Sequence, residues 1–109
     1  NNILSAIYFW IGSEAEINGY RPTIYKKYDG SVEFKSRVDS VISWFNLPIV
    51  QRPKLTMLYF SEPDYIGHEY GPNSNEVNKS VIEMDSIFGY LIDELSRTKV
   101  YKDLDMDRF

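Results

Sequence analysis

Apolar residues along the chain fall into short runs of strand length and longer stretches with helical spacing. Residues 5–10 and 55–60 are short runs rich in aromatic and branched side chains, which is typical of buried strands. The second run has the continuous apolar character of a strand that is buried on both faces of a parallel sheet. Between the two runs, Asn18-Gly19 predicts a two-residue hairpin turn, and residues 23–28 form a further extended stretch.

Two longer stretches repeat apolar residues at the spacing of amphipathic helices. The first follows Ser31, a residue type that caps helices, and ends near Leu47. Its apolar positions are Phe34, Val38, Val41, Ile42 and Phe45. The second follows Asn73, which stands three residues before Glu76 as in a capping box, and extends to about Arg97. Its apolar positions are Val77, Val81, Met84, Phe88, Leu91, Ile92 and Leu95.

The order of strands and helices predicts an α/β fold with a βαβ crossover between parallel strands. The chain offers two or three strands and two amphipathic helices, and two such helices need a wider sheet to cover their apolar faces. We therefore expect residues 1–109 to be part of a larger α/β domain that is incomplete at both ends. The tail from residue 99 onwards, with Asp103, Asp105 and Asp107, is expected to be frayed and solvated.

Composition limits the classes of function. The 109 residues carry a net charge of −4 with scattered lysines and arginines, which disfavours a nucleic-acid groove. No apolar run approaches the length of a membrane span. Nine tyrosines, six phenylalanines and two tryptophans indicate an aromatic core or surfaces on which planar ligands stack.

The main candidate for chemistry follows the apolar run at residues 55–60. Pro63 ends that strand because it has no N–H for the ladder, and Asp64 and His68, the only histidine, then stand at i and i+4. In one turn of helix both side chains lie on the same face, just beyond the carboxyl end of a strand, where open α/β sheets bind ligands. A carboxylate with an imidazole suits zinc, but a hydrogen-bonded surface pair fits the same spacing, and a catalytic zinc takes three protein ligands.

A series of motifs in one order along residues 6–104 resembles the ecto-nucleotide pyrophosphatase/phosphodiesterase family of the alkaline phosphatase superfamily. The most specific motif is Glu-Pro-Asp-x-x-Gly-His-x-x-Gly-Pro at residues 62–72. The chain departs from the usual pattern at Ile11, where the family usually has proline, and at Ser61, where it often has glutamate. The upstream matches are Phe9-Trp10-Ile11-Gly12-Ser13-Glu14, Ile17-Asn18-Gly19, Arg21-Pro22, Tyr28-Asp29-Gly30-Ser31, Phe34, Arg37-Val38, Trp44, Leu47-Pro48, Arg52-Pro53 and Leu58-Tyr59.

The resemblance implies a large α/β catalytic domain with two zinc ions and a threonine nucleophile that attacks phosphorus. Asp64 and His68 match two ligands of one zinc ion, whose third ligand is a later histidine. In the family the threonine and the first metal-binding aspartate precede this segment, and an Asp-His-Gly motif for the second ion follows it. Asp105 does not match that motif. We therefore expect no catalytic residue in this chain and no activity from the chain alone.

The resemblance also assigns four residues to substrate binding. Tyr28 and Tyr59 match aromatic positions that contact the nucleotide, and Trp10 and Glu14 fall in the same pocket-lining stretch. From the residues alone, Tyr59 fits a buried strand position and Trp10 fits the aromatic core equally well.

The activity that the resemblance implies is zinc-dependent hydrolysis of phosphodiester or pyrophosphate bonds of nucleotides, outside the cell or at its surface. Asn78-Lys79-Ser80 is a glycosylation triplet compatible with secretion, and a membrane anchor would lie in a segment outside this chain. Two alternatives stay open. One is a truncated, non-catalytic fragment that binds nucleotides or a partner, and the other is a lipid phosphodiesterase of the same family.

Overall fold

The computed structural model describes residues 3–103 and contains one parallel sheet of three strands. The strands are β1 (Ser5–Tyr8), β2 (Ile24–Lys26) and β3 (Leu55–Leu58), arranged in the order β2-β1-β3. Each strand is shorter than the apolar or extended stretch that contains it. The predicted α/β class and its parallel strands are confirmed.

The described residues also contain four helices. These are α1 (Phe34–Phe45), α2 (Asp64–Tyr70), α3 (Asn75–Ser96) and α4 (Lys99–Asp103). The two predicted amphipathic helices correspond to α1 and α3, and α2 contains the predicted helical turn after the third strand. Within residues 3–103, no helix is both long and apolar enough to cross a membrane.

The short helix α4 corrects one expectation about the tail. Residues 99–103 are helical and not frayed. Thr98 is buried, its hydroxyl donates to the Leu95 carbonyl at 2.7 Å, and its oxygen accepts from the N–H of Tyr101 at 3.3 Å. These bonds join the end of α3 to the first turn of α4. The predictions for Asp105 and Asp107 lie outside the described residues.

The central strand of the sheet is β1 and not β3. β1 forms parallel pairs on both sides, whereas β3 pairs only with β1 within the part of the chain that the structure describes. Leu55 is 53% exposed, and the other three residues of β3 are half-buried. The prediction that this strand is buried on both faces is therefore wrong for the described residues. An apolar run does not specify which neighbours a strand has.

β1 ends two residues before its apolar run does, because the backbone changes direction at Phe9. The φ angle of Phe9 is +70°, in the left-handed region that bulky L-residues rarely adopt. Its ring is nevertheless buried and packs edge-on against Tyr8, with the ring centroids 4.5 Å apart. This residue therefore ends the ladder of β1 and begins the loop to β2.

The hydrophobic core lies between β1 and α1. Tyr8 of β1 and Trp44 of α1 place their ring centroids 5.8 Å apart, and Val41 packs in the same cluster. Because α1 joins β2 to β3 on opposite sides of β1, it forms the predicted crossover connection. The packing fixes the carboxyl ends of all three strands at one edge of the sheet.

The predicted capping residues of both long helices need correction. α1 begins after Glu33 and has no side-chain cap, since Ser31 bonds to Asp29 instead. α3 is capped by Ser74 and not by Asn73, because the Ser74 hydroxyl oxygen accepts from the N–H of Val77 at 3.2 Å. Serine and Asx residues offer similar acceptors to a helix start, so their order in sequence does not decide which one caps it.

The loop between β1 and β2 contains the predicted hairpin turn. Ile17 and Tyr20 exchange two backbone hydrogen bonds of 2.9 and 3.0 Å. The two residues of the turn, Asn18 and Gly19, have φ angles of +52° and +80°. A two-residue type I′ turn requires positive φ at both positions. The turn folds the long loop back on itself, so that the segment just after β1 can approach the residues that follow β2.

Candidate functional site

The segments that follow the three strands form one open cavity at the carboxyl edge of the sheet. Its volume is about 440 Å³. Parallel strands bring their carboxyl ends to the same edge, which is where ligands bind in open α/β sheets. The cavity, called the aromatic cavity below, is lined by Phe9, Trp10, Ile11, Gly12, Glu14, Ala15, Tyr28 and Tyr59.

All four residues that the resemblance assigned to substrate binding line the aromatic cavity. Tyr28 comes from the segment after β2 and Tyr59 from the segment after β3, whereas Trp10 and Glu14 belong to the loop after β1. The resemblance assigned no binding role to the other lining residues, which are Phe9, Ile11, Gly12 and Ala15. Phe9, Ile11 and Gly12 stand in the same motif as Trp10, which was the available signal, and Ala15 directly follows that motif.

The aromatic side chains of the cavity differ in exposure. Tyr28 is 55% exposed and Trp10 is 47% exposed, so both rings are open to a ligand. Tyr59 is partly buried and packs against the core, so it is both a core neighbour and a cavity residue. The ring of Tyr28 lies edge-to-face against Phe9, with centroids 5.2 Å apart and planes at 64°.

Glu14 connects two of the segments that form the cavity. Its Oε1 accepts a hydrogen bond from the backbone N–H of Tyr28, and its carbonyl oxygen accepts from Nε of Arg21 at 3.3 Å. One residue therefore fixes the loop after β1 to the segment after β2. This contact explains why Tyr28 lies at the cavity, and the sequence spacing alone did not reveal it.

Asp64 and His68 lie together on one face of α2, as their spacing predicts. The Oδ1 atom of Asp64 is 3.5 Å from Nε2 of His68, and the side chains are 83% and 81% exposed. Neither is enclosed in apolar packing. The helix is fixed at its start by Glu62, whose Oε2 accepts from the N–H of Ile66 at 3.0 Å. The pair can therefore present one oxygen and one nitrogen donor to a metal ion.

A second, smaller cavity lies between the aromatic cavity and α2. Its volume is about 290 Å³, and it shares Tyr28 with the aromatic cavity. Its other lining residues are Gly30, Ser61, Glu62 and Tyr65. Because Tyr65 follows Asp64 directly, this space extends from the aromatic rings to the helix that carries the Asp64–His68 pair.

The segment between Tyr28 and α1 is held by hydrogen bonds from Ser31 to the side chain of Asp29. Oδ1 of Asp29 accepts from the hydroxyl and the N–H of Ser31, at 2.6 and 2.9 Å. These hydrogen bonds hold the pKa of Asp29 below its ordinary value of 3.8, because they favour the charged carboxylate. The turn fixes the backbone directly after Tyr28 and thus the position of its ring.

Comparison with known proteins places this geometry in a family. The model of the family described as type I phosphodiesterase / nucleotide pyrophosphatase matches residues 1–106. Ectonucleotide pyrophosphatase/phosphodiesterase family member 1 of Rattus norvegicus is 45% identical over 106 residues, which are 97% of this chain and 11% of that protein. A venom phosphodiesterase of Crotalus durissus collilineatus is 44% identical over 97 residues, which are 89% of this chain and 12% of that protein.

Solved structures show the same fold. An inactive variant of murine ectonucleotide pyrophosphatase/phosphodiesterase 5, in complex with AMP, superposes with a TM-score of 0.83 at 36% identity, over 92% of this chain and 26% of that one. The human protein of the same name superposes with a TM-score of 0.80 at 34% identity, over 88% of this chain and 25% of that one. The chain spans about a tenth of the length of the curated relatives quoted above. It belongs to the type I phosphodiesterase / nucleotide pyrophosphatase family.

Proposed function

We propose that this chain forms the nucleoside-binding part of a nucleotide pyrophosphatase/phosphodiesterase and supplies two ligands to one of its zinc ions. The observation that carries the proposal is the common location of two features. The aromatic cavity and the Asp64–His68 pair both follow the carboxyl ends of the strands, and a smaller cavity extends from Tyr28 to Tyr65 of α2, the helix that carries the pair. A nucleotide has a base and a phosphate at the two ends of one molecule, and this arrangement offers a place for each.

The aromatic cavity suits a planar base. Tyr28 and Trp10 present partly exposed rings, and Tyr59 adds a third ring from the side of the core. Aromatic side chains stack on any base because every base has a π face. Rigid rings around an open cavity favour a nucleoside over a flexible lipid tail. The murine relative was solved in complex with AMP, which supports a nucleotide as the ligand.

The Asp64–His68 pair fits a zinc ion by its donor types and its spacing. Two donors at about 2.0–2.2 Å from one tetrahedral zinc lie roughly 3.4 Å apart, and Oδ1 of Asp64 is 3.5 Å from Nε2 of His68. Among residues 3–103, no group of three His, Cys, Asp or Glu side chains is placed to hold a metal ion. The remaining ligands would therefore come from outside this part of the chain. A bound zinc ion would neutralise the negative charge that develops on the phosphoryl oxygens.

In this proposal the chain binds and orients the substrate. The rings of the aromatic cavity hold the base, and Glu14 keeps Tyr28 in place through its backbone N–H. Asp64 and His68 mark the end at which the phosphoryl group lies. The family resemblance assigns the nucleophile to a threonine that precedes this segment, so the chain alone should bind nucleotides without hydrolysing them.

The proposed location is outside the cell or at its surface. Relatives named as ectonucleotide pyrophosphatases and venom phosphodiesterases support this location. Asn78, the acceptor of the glycosylation triplet, is exposed in the first turns of α3. Digestion with an N-glycosidase, followed by mass spectrometry of the protein from a secretory host, tests whether this residue carries a glycan.

Two assays of the chain test the proposal. Titration with AMP, followed by tyrosine and tryptophan fluorescence, should give a saturable change, since Trp10, Tyr28 and Tyr59 line the cavity. Incubation with zinc and a chromogenic nucleotide phosphodiester should give no turnover. Absence of any saturable AMP signal contradicts the nucleoside-binding role. Robust hydrolysis by the 109 residues contradicts the assignment of the nucleophile to another segment.

A further inference from the structure

Arg37 is the largest fully buried side chain of the described residues, and the sequence analysis assigned it no role. It lies in the first turns of α1 and has no exposed surface. Its Nε donates to the carbonyl of Val32 and its Nη1 donates to the carbonyl of Tyr59, both at 3.1 Å. Its Nη2 has no hydrogen-bond partner within residues 3–103.

Rings surround the remainder of the Arg37 guanidinium. Its central carbon lies 4.9 Å from the ring centroid of Phe9, 4.8 Å from that of Phe34 and 6.0 Å from that of Phe60. These are cation–π distances, and such contacts are stronger where water is excluded. No carboxylate in the described part of the chain hydrogen-bonds to Arg37. Carbonyl dipoles and ring faces compensate its charge, and Asp29 adds a Coulombic attraction without direct contact.

A buried arginine with no carboxylate bonded to it costs desolvation free energy that an apolar core residue does not. Desolvation disfavours the charged form, and burial lowers the pKa of Arg37 from its ordinary value. An apolar side chain of similar volume would avoid this desolvation cost. Two residues that Arg37 contacts, Tyr59 and Phe9, belong to the lining of the aromatic cavity. A role at that cavity would explain why an arginine is buried here.

We propose that Arg37 is a positioning residue for the aromatic cavity, fixing the Tyr59 side of the cavity relative to the Phe9–Tyr28 side. This inference rests on the proposed nucleoside-binding function of that cavity. The guanidinium bonds directly to the backbone of Tyr59, and its central carbon lies over the ring of Phe9. The ring of Phe9 in turn supports the edge of Tyr28 at 5.2 Å. One rigid planar group therefore connects residues that come from the segments after β1, β2 and β3.

The planar shape of the guanidinium is essential to this role. Two of its nitrogens reach carbonyls on separate segments while its central carbon lies over the ring of Phe9. A lysine keeps the positive charge but has a single, compact ammonium group, so it cannot reach both carbonyls and also occupy the space over the Phe9 ring. The Arg37→Lys variant therefore removes the contacts that fix the distance between the two sides of the cavity. It conserves the positive charge and the approximate side-chain volume.

The test compares two substrates in the full protein that carries this chain. Thymidine 5′-(p-nitrophenyl phosphate) has a base, and methyl p-nitrophenyl phosphate has the same leaving group without a base. We expect Arg37→Lys to raise KM for the thymidine substrate several-fold, with kcat for that substrate and both parameters for the methyl ester unchanged. A loss of stability alone would lower the apparent kcat of both substrates equally.

Arg52→Lys is the matched control. Nε of Arg52 donates to the carbonyl of Leu47 at 3.3 Å, next to the carboxyl end of α1 and outside the lining of the aromatic cavity. It should leave the preference for the thymidine substrate unchanged. Phe9→Leu gives a second measurement if Arg37→Lys does not fold. It removes the ring between Arg37 and Tyr28 and should produce the same base-specific rise in KM.

Each outcome decides a different claim. A wild-type protein that does not distinguish the two substrates contradicts the proposed nucleoside-binding function, and the positioning role of Arg37 with it. A wild-type preference that both Arg37→Lys and Phe9→Leu retain contradicts the positioning role alone. A preference that is lost equally in Arg52→Lys shows a general effect of disturbing α1 and also contradicts it.

Discussion

The carboxylate of Asp64 and the imidazole of His68 face each other on one side of α2, with Oδ1 and Nε2 3.5 Å apart and both side chains largely exposed. This pair is open to solvent, so a metal ion can approach it without any rearrangement of the core. The first turn of α2 is fixed independently, by the bond from the Ile66 N–H to Glu62. Changes to the pair should therefore affect metal binding and leave the fold intact.

Loss of either member of the pair should weaken zinc binding. In the full protein, Asp64→Asn and His68→Ala should each reduce zinc affinity by more than the roughly 10- to 100-fold that loss of an outer-shell partner costs. Competition with a chromogenic chelator measures this affinity. Asp93→Asn, in α3, is the control and should bind zinc like the wild type. Unchanged zinc affinity in both variants contradicts the metal role of the pair.

Removal of the exposed ring of the aromatic cavity should weaken nucleotide binding. Tyr28→Ala should reduce AMP affinity by about 1–3 kcal/mol, which is roughly 5- to 150-fold, because stacking on the base is lost. Tyr28→Phe should retain most of the affinity since the ring remains. Calorimetric titration measures both variants. Tyr20→Ala, at a tyrosine that is 79% exposed in the hairpin turn, serves as the control, and equal losses at the two positions refute a specific role of Tyr28.

Substitution of the two tryptophans should have different effects, one on stability and the other on nucleotide binding. Trp44 is buried and packs on Tyr8, so Trp44→Ala should lower the free energy of unfolding by about 3–5 kcal/mol. Trp10 is 47% exposed and lines the aromatic cavity, so Trp10→Ala should weaken AMP binding with little change in stability. Urea unfolding and AMP titration of both variants measure the two effects. The reverse pattern would show that Trp10 belongs to the core.

The contact between α1 and α3 should depend on pH in the alkaline range. The Tyr90 hydroxyl donates to Asp39, and this hydrogen bond raises the pKa of Tyr90 from 10 to about 12. The folded state thus retains a proton that the unfolded state releases. The contact stabilises the fold fully below pH 10, and its contribution is lost as the pH rises from 10 through about 12.

Tyr90→Phe removes this hydrogen bond and keeps the ring that Lys35 contacts, with Nζ 4.9 Å from the ring centroid. The variant should be less stable than the wild type at neutral pH, and the difference should shrink across that alkaline window. Urea unfolding at a series of pH values measures it. A difference that stays constant with pH shows that the hydroxyl does not hold its proton through this bond.

The sequence predicted the elements of the fold well where local signals agree. The apolar spacing of α1, the turn at Asn18-Gly19 and the shared face of Asp64 and His68 follow from periodicity and backbone preference, and the structure has all three. Strand order was not predictable in the same way. β1 and β3 have similar apolar runs, and their places in the sheet depend on pairing partners that are distant in sequence.

The candidate site was predicted in part. Family motifs identified Trp10, Tyr28 and Tyr59, which all line one cavity. The contacts that bring them together were not predictable, because each joins residues from different loops. The bond from the Tyr28 N–H to Glu14 spans 14 residues, and the bond from Arg37 to the Tyr59 carbonyl spans 22. No local pattern encodes such pairings.

The left-handed backbone of Phe9 restricts which residues position 9 can accept. Glycine or asparagine would relieve the backbone at φ +70° but would remove the ring that lies between Arg37 and Tyr28. Valine and isoleucine lack the ring and suit this conformation poorly. A saturation library at position 9 of the full protein, selected for nucleotide hydrolysis, should therefore return mainly aromatic residues if the ring contact outweighs the strain of the left-handed backbone.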